Sequence, residues 1–307
     1  MRRNAASCRK IAGFIYILLL PVAGTLLFGQ TQGGIDPGGN TDIPRGLQEM
    51  RALAEAYPAR IESERIRSGE WSLSIDGTWY YWANGRFLTE NQLDRWEEYA
   101  GIRFYSYERG PLRERVISPE LARRLMEITS GRNSDTRRRF NGFLDALYDV
   151  RSREEAEALM VEVSFFGHRT RVHPLLVKPL TRVEDQIARA AAADRSVRAY
   201  IDSLMQIHGY NWRNIAGTAR RSYHSYGVAL DLTHRSYENW AYWRWAVDGG
   251  VTEWWNIPIG KRHAVPLAVV EAFEDEGFVW GGKWLLFDNI HFEYRPEVLI
   301  ITDGKAE

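Results

Sequence analysis

The single cysteine of the 307-residue chain, Cys8, lies ahead of a 19-residue run without charge, IAGFIYILLLPVAGTLLFG, from Ile11 to Gly29. That placement limits what the rest can fold into. Neither a disulfide framework nor a thiolate metal cluster can be built within the chain, so an apolar core has to hold it together. The run follows Arg2, Arg3, Arg9 and Lys10, with no acidic residue among the first ten, which is the pattern of an export signal. Its length also matches the roughly 20 residues that span a bilayer. Pro21, Ala23 and Gly24 within it favour a cleaved signal over an anchor, although no cleavage site is clear. A buried core helix is the bland alternative. As signal or anchor, the basic end stays inside and the bulk of the chain is expected to be exported, periplasmic or in the cell envelope. The membrane is then touched only by this segment, if it is uncleaved. A chain free of further cysteine suits an oxidising compartment.

Charge removes other partners. Lys+Arg 40 against Asp+Glu 40 gives a formal net charge of +0, which argues against a nucleic-acid partner. A hydrophobic content of 45% with no net charge also excludes disorder as the main state.

Five stretches follow along the chain: a signal or anchor over 1–30, a Gly/Pro-rich flexible linker over 31–46, an N-terminal region over 47–163, a main domain over 164–300 and a tail over 301–307. A polar helix is expected from about Leu47 to Ser68. EWSLSIDGTWYYWANGRFLTE alternates bulky and polar residues around Asp76-Gly77 and Asn84-Gly85, the pattern of a β-hairpin element. A helical section runs from about Pro119 to Met160. Beyond Ser164 a strand and turn enter a helix, and DRSVRAYIDSLMQIHGY extends as another helix ending near Gly209. NWRNIAGTARRSYHSYGVALDL reads as strand, loop, strand. A tryptophan-rich stretch, a helix at VPLAVVEAFEDEG and two strands in FVWGGKWLLFDNIHFEY complete the chain. Helices and antiparallel-style strands without βαβ alternation indicate an α+β fold. There are no repeats.

Chemistry concentrates near two of the seven histidines. His224 lies seven residues before Asp231 in SYHSYGVALDL, and His291 lies three after Asp288 in DNIHFEY. Val228 and Leu230 alternate with Ala229 and Asp231, so a strand presents the carboxylate on one face and apolar groups on the other. Gly227 opens that strand and lets the loop carrying His224 fold back, while Ala229 leaves room beside Asp231. In the last strand His291 and Glu293 share a face opposite Ile290 and Phe292. A carboxylate plus two imidazoles forms a three-ligand site with an open fourth position, the catalytic arrangement for zinc.

These residues resemble a known family. Ser222, His224, Gly227, Ala229 and Asp231 form S-x-H-x-x-G-x-A-x-D, similar to the first motif of the zinc D-alanyl-D-alanine carboxypeptidases and L-alanyl-D-glutamate endopeptidases. Five fixed positions arise by chance on the order of 10⁻⁴ times in such a length. Trp280, Gly281, Gly282, Trp284, Asp288 and His291 resemble the second motif, especially of the endopeptidase branch. The resemblance covers roughly residues 165–300. It implies a Hedgehog/DD-peptidase-like antiparallel sheet with flanking helices, preceded here by a mixed helical and β-hairpin region. It also implies a zinc peptidase acting on peptidoglycan stem peptides, with one zinc ion on His224, Asp231 and His291 and with Asp288 as general base. The carboxypeptidase type is the leading expectation, the endopeptidase type the alternative, and a non-catalytic zinc-containing wall-binding module the alternative from another class.

A cation should stabilise the developing oxyanion. Relatives carry it in a Tyr-Arg-Ser setting that this chain lacks, so Arg213 is the first candidate and Arg221 the second, each also readable as a surface charge. Ser222 is a candidate substrate contact or ligand-orienting group, with a turn-stabilising role equally open. Trp284 is a candidate substrate contact. Glu293 is a candidate supporting residue behind the metal or an alternative base, against a strand-edge salt bridge. His234 and His263 are expected outside the metal shell, and His168, His173 and His208 to be structural. Trp240, Trp243, Trp245, Trp254 and Trp255 wall a groove or, as the simpler reading, pack a core.

Overall fold

A computed structural model describes residues 46–67, 69–130 and 136–304. The signal or anchor, Cys8 and the linker up to residue 45 lie outside the described residues. Helix α1 (Leu47–Ala56) opens the described chain. The expected longer helix stops there because Pro58 disfavours helical geometry at Tyr57, which sits at φ −129° and ψ 54°. The residues beyond form β1 (Ser63–Arg67), which joins β2 (Glu70–Ile75), β3 (Thr78–Trp82) and β4 (Phe87–Leu88) in an antiparallel sheet ordered β1-β2-β3-β4. The expected hairpin turns are present: Asp76-Gly77 and Asn84-Gly85 all have positive φ, as two-residue turns between twisted strands require.

The helical section consists of α2 (Pro119–Thr129), α3 (Gly142–Leu147) and α4 (Arg153–Leu159). Ser118 caps α2 and Pro119 occupies its first turn. A hairpin of β5 (Val161–Phe165) and β6 (His168–Val172) leads into α5 (Val177–Ala193) and α6 (Arg195–Asp202). The expected helix to Gly209 ends instead at Asp202. Leu204–His208 forms β7, since pairing with β8 (Ala229–His234) supplies a ladder and buries Leu204 and Ile207; tertiary pairing overrides helix propensity here. The strand expected at the start of NWRNIAGTARRSYHSYGVALDL is likewise irregular chain, with one antiparallel bridge between Asn214 and Arg221. Helices α7 (Trp243–Asp248) and α8 (Leu267–Asp275), strands β9 (Phe278–Trp280) and β10 (His291–Tyr294), and α9 (Pro296–Asp303) complete the fold. Helix α9 runs through the expected boundary at residue 300. The central sheet, ordered β7-β8-β10-β9, is antiparallel, so the class is α+β.

Packing ignores the expected division at 163/164. One core joins Met50, Leu53, Leu73, Phe87 and Phe143 to Tyr223, Tyr226 and Val228. A second, behind the central sheet, joins Leu180, Val183 and Phe273 to Leu230 and Phe292. Trp243, Trp254 and Trp255 are buried with Leu125 and Phe287, as the packing reading expects, whereas Trp245 is exposed.

Candidate metal centre and active site

Strand alternation builds the site. Leu230, Leu232 and Phe292 point into the core, which turns Asp231, His291 and Glu293 to the other face. Register places His291 directly opposite Asp231, and Glu293 opposite the small Ala229. His224 arrives from a single 3₁₀ turn, Tyr223–Tyr226, that ends at Gly227 with φ +66°. A Cβ at Gly227 would lie 2.2 Å from Met160 Sδ and 2.7 Å from the His173 nitrogen, so only glycine lets this turn close.

The three side chains converge. His224 Nε2 lies 3.3 Å from His291 Nδ1 and 3.2 Å from Asp231 Oδ2, and His291 Nδ1 lies 2.7 Å from Asp231 Oδ1. Tetrahedral zinc with bonds near 2.0–2.1 Å sets its ligands about 3.3 Å apart, so the triangle is close to that size. The far nitrogens are already committed. His224 Nδ1–H donates to the Gly209 carbonyl at 2.6 Å, and His291 Nε2–H reaches Glu293 Oε2 at 3.4 Å. Those bonds leave His224 Nε2 and His291 Nδ1 to present lone pairs toward Asp231, the second-layer arrangement that orients histidine ligands. Two nitrogens and one carboxylate without thiolate fit zinc.

Electrostatics separates the carboxyls. Burial alone would raise the Asp231 carboxyl, but the two imidazoles outweigh it and hold that group well below the usual range. Burial pushes the Asp288 carboxyl up to about 7, with the Asp231 charge adding to the effect and His291 opposing it. Asp288 Oδ1 is buried without a hydrogen-bond partner among the described residues. Gly281 and Gly282 make this placement possible: a Cβ at 281 would meet the Asp288 carbonyl at 2.6 Å, and one at 282 the Trp280 indole at 2.2 Å.

The other expected residues divide. Arg213 Nη2 stands 4.0 Å from Asp231 Oδ2 at the metal group. Arg221 is committed elsewhere, paired with Asp145 at 2.5 Å and packed over Trp212, so of the two candidates Arg213 is the one beside Asp231. Ser222 is buried and its hydroxyl accepts from the His224 N–H, the turn-stabilising role rather than an exposed contact. Trp284 packs its ring 5.3 Å from that of His291 and donates its N–H to Tyr105. Glu293 reaches both ways, with Oε2 3.4 Å from His291 Nε2 and Oε1 paired with Arg295 at 3.2 Å. His234 and His263 lie outside the metal group, in a cluster of rings with Tyr200 and Tyr237. A cleft of about 500 Å³ opens on His224, Asp231 and Arg213 and continues along β6 and β7.

Two participants had no signal in the sequence. The Gly209 carbonyl fixes the His224 tautomer. Arg295, 3% exposed, joins Glu293 to Glu297, and Glu297 in turn accepts from Tyr57 on the edge of α1.

Residues 216–294 match the family model described as D-alanyl-D-alanine carboxypeptidase. The C-terminal part of the chain is similar to that family. This segment is also similar to the peptidoglycan L-alanyl-D-glutamate endopeptidase CwlK of Bacillus subtilis (strain 168), with 29% identity over an alignment of 139 positions that covers 40% of this chain and 76% of the relative. Both His-containing motifs fall inside the matched family segment. Residues 49–104, ahead of it, match a domain of unknown function. No solved structure matches the chain.

Proposed function

We propose that the chain is a zinc-dependent peptidase that hydrolyses peptide bonds of peptidoglycan stem peptides. The observation that carries this reading is the convergence of His224, Asp231 and His291, from two motifs far apart in sequence, beside the buried Asp288 carboxyl. Zinc held by these three would supply Lewis-acid polarisation of the scissile carbonyl and acidify water for attack. Asp288, buried and titrating near neutrality, accepts the proton from the attacking water and returns one to the leaving amine. Arg213 presents positive charge at the edge of the site, where negative charge builds on the carbonyl oxygen. His224 and His291 hold their orientation through Gly209 and Glu293.

The endopeptidase relative favours cleavage between L-Ala and D-Glu, and the Trp280-Gly281-Gly282 and Asp288 pattern agrees with it. The family description favours removal of terminal D-Ala. Mass spectrometry of muropeptides digested by the zinc-loaded chain decides: a D-Glu-headed peptide supports the first, loss of one D-Ala the second. A protein that binds one zinc per chain and cuts neither bond defeats the peptidase reading. Action outside the cytoplasm is part of the proposal and rests on residues 1–30; a fractionation that recovers the protein in the cytoplasm refutes it.

A further inference from the structure

Strand β6 brings Arg169 and Arg171 to the lining of the cleft that holds His224 and Asp231. Thr170 on β6 accepts from the Gly209 N–H at 2.9 Å, and the Arg171 carbonyl accepts from the Tyr210 N–H at 2.6 Å. These bonds place β6 directly against the residue whose carbonyl fixes His224. Arg171 is among the residues that line the cleft, and its guanidinium lies 5.3 Å from the centroid of the Tyr210 ring, also in the lining, with Nη2 donating to the Glu157 carbonyl at 2.5 Å.

The carboxylates of Glu157, Glu162 and Asp231 are each engaged by another cation or imidazole: Glu157 pairs with Arg153 at 2.7 Å, Glu162 pairs with Arg169, and Asp231 is held by two imidazoles. Among the described residues Arg171 therefore has no carboxylate partner, and only one of its five N–H donors is bonded. A guanidinium stacked on an aromatic ring and pinned at one nitrogen keeps a planar edge for bidentate capture of an anion.

We infer that Arg171 is an anion subsite of the cleft, taking a free carboxylate carried by the peptide near the bond presented to the metal group. The inference rests on the peptidase reading for the identity of its ligand. Stem peptides offer two such carboxylates, the α-carboxylate of a γ-linked D-Glu and the chain terminus. Arg169 lines the same cleft but is neutralised by Glu162, which makes it the internal control.

The test uses matched synthetic stem peptides, identical except that one carboxylate at a time is replaced by its amide. Each pair is digested by, and titrated calorimetrically into, the zinc-loaded full chain and its Arg171→Gln and Arg169→Gln variants. Arg171→Gln should raise KM and Kd about five- to ten-fold for the acid member of one pair, with kcat within about two-fold and the amide member unchanged. The pair that responds identifies the carboxylate. Arg169→Gln should not distinguish acid from amide. Equal loss on acid and amide, or no loss on either, overturns the subsite. If the unsubstituted chain digests none of the peptides, the peptidase reading fails while the calorimetric difference between acid and amide still decides the role of Arg171.

Discussion

Asp288 and Glu293 are both carboxylic acids beside His291, yet their surroundings shift them in opposite directions. Asp288 is raised by burial to about 7 and lacks a partner for Oδ1. Burial would raise Glu293 too, but His291 and Arg295 outweigh it and keep Glu293 ionised. Groups pushed apart in this way divide proton transfer from orientation. Asp288→Asn should lower kcat by about 10²–10⁴ while leaving one zinc per chain, measured by peptide hydrolysis and metal analysis. Glu293→Gln should weaken zinc binding about 10–100-fold in competition with a chromophoric chelator. A separate residue effect belongs to His234 and His263, both pushed down to about 4, chiefly by burial. Unfolded histidine protonates near ~6.5, so the unfolded chain binds more protons between those limits. Stability is therefore full above about 6.5 and falls as pH drops toward 4, by roughly 2–3 kcal/mol for His234. Urea midpoints of the metal-free chain at pH 7 and 4.5 measure this slope, and His263→Phe should flatten it.

Elements show how short-range signals and long-range pairing compete. Alternation in β8 and β10 was legible because one face of each is buried; a shift of one residue would move Asp231 and His291 into the core. The turn pairs of the first sheet were legible for an equally local reason, the positive φ that Asp-Gly and Asn-Gly tolerate. Strand β7 was not, since Leu-Met-Gln-Ile suits a helix and only the neighbouring β8 makes it a strand. At the 3₁₀ turn that delivers His224, Gly227→Ala combines a left-handed φ with overlap on Met160 and His173. A loss of about 2–4 kcal/mol in unfolding free energy is expected by chemical denaturation.

Across the whole molecule, the region matching a domain of unknown function is packed against the C-terminal part of the chain rather than tethered to it. A buried chain of polar contacts runs from His291 through Glu293, Arg295 and Glu297 to Tyr57, whose hydroxyl also meets that of Tyr148. Arg295 additionally donates to the Arg103 carbonyl. Arg295→Leu would leave two carboxylates buried without their cation, so a loss of about 3–5 kcal/mol is expected from urea unfolding. Tyr57→Phe removes only the outer bond and should cost about 1 kcal/mol by the same measurement. By itself the sequence determined the α+β class, the two histidine motifs and the faces on which their strands carry them, because period-two burial and fixed motif spacing are properties of neighbouring residues. Only the tertiary structure decided which arginine stands at the metal group, which carbonyl fixes His224, and that both halves share one core. Those outcomes depend on which distant surfaces meet, and spacing along the chain carries no record of that.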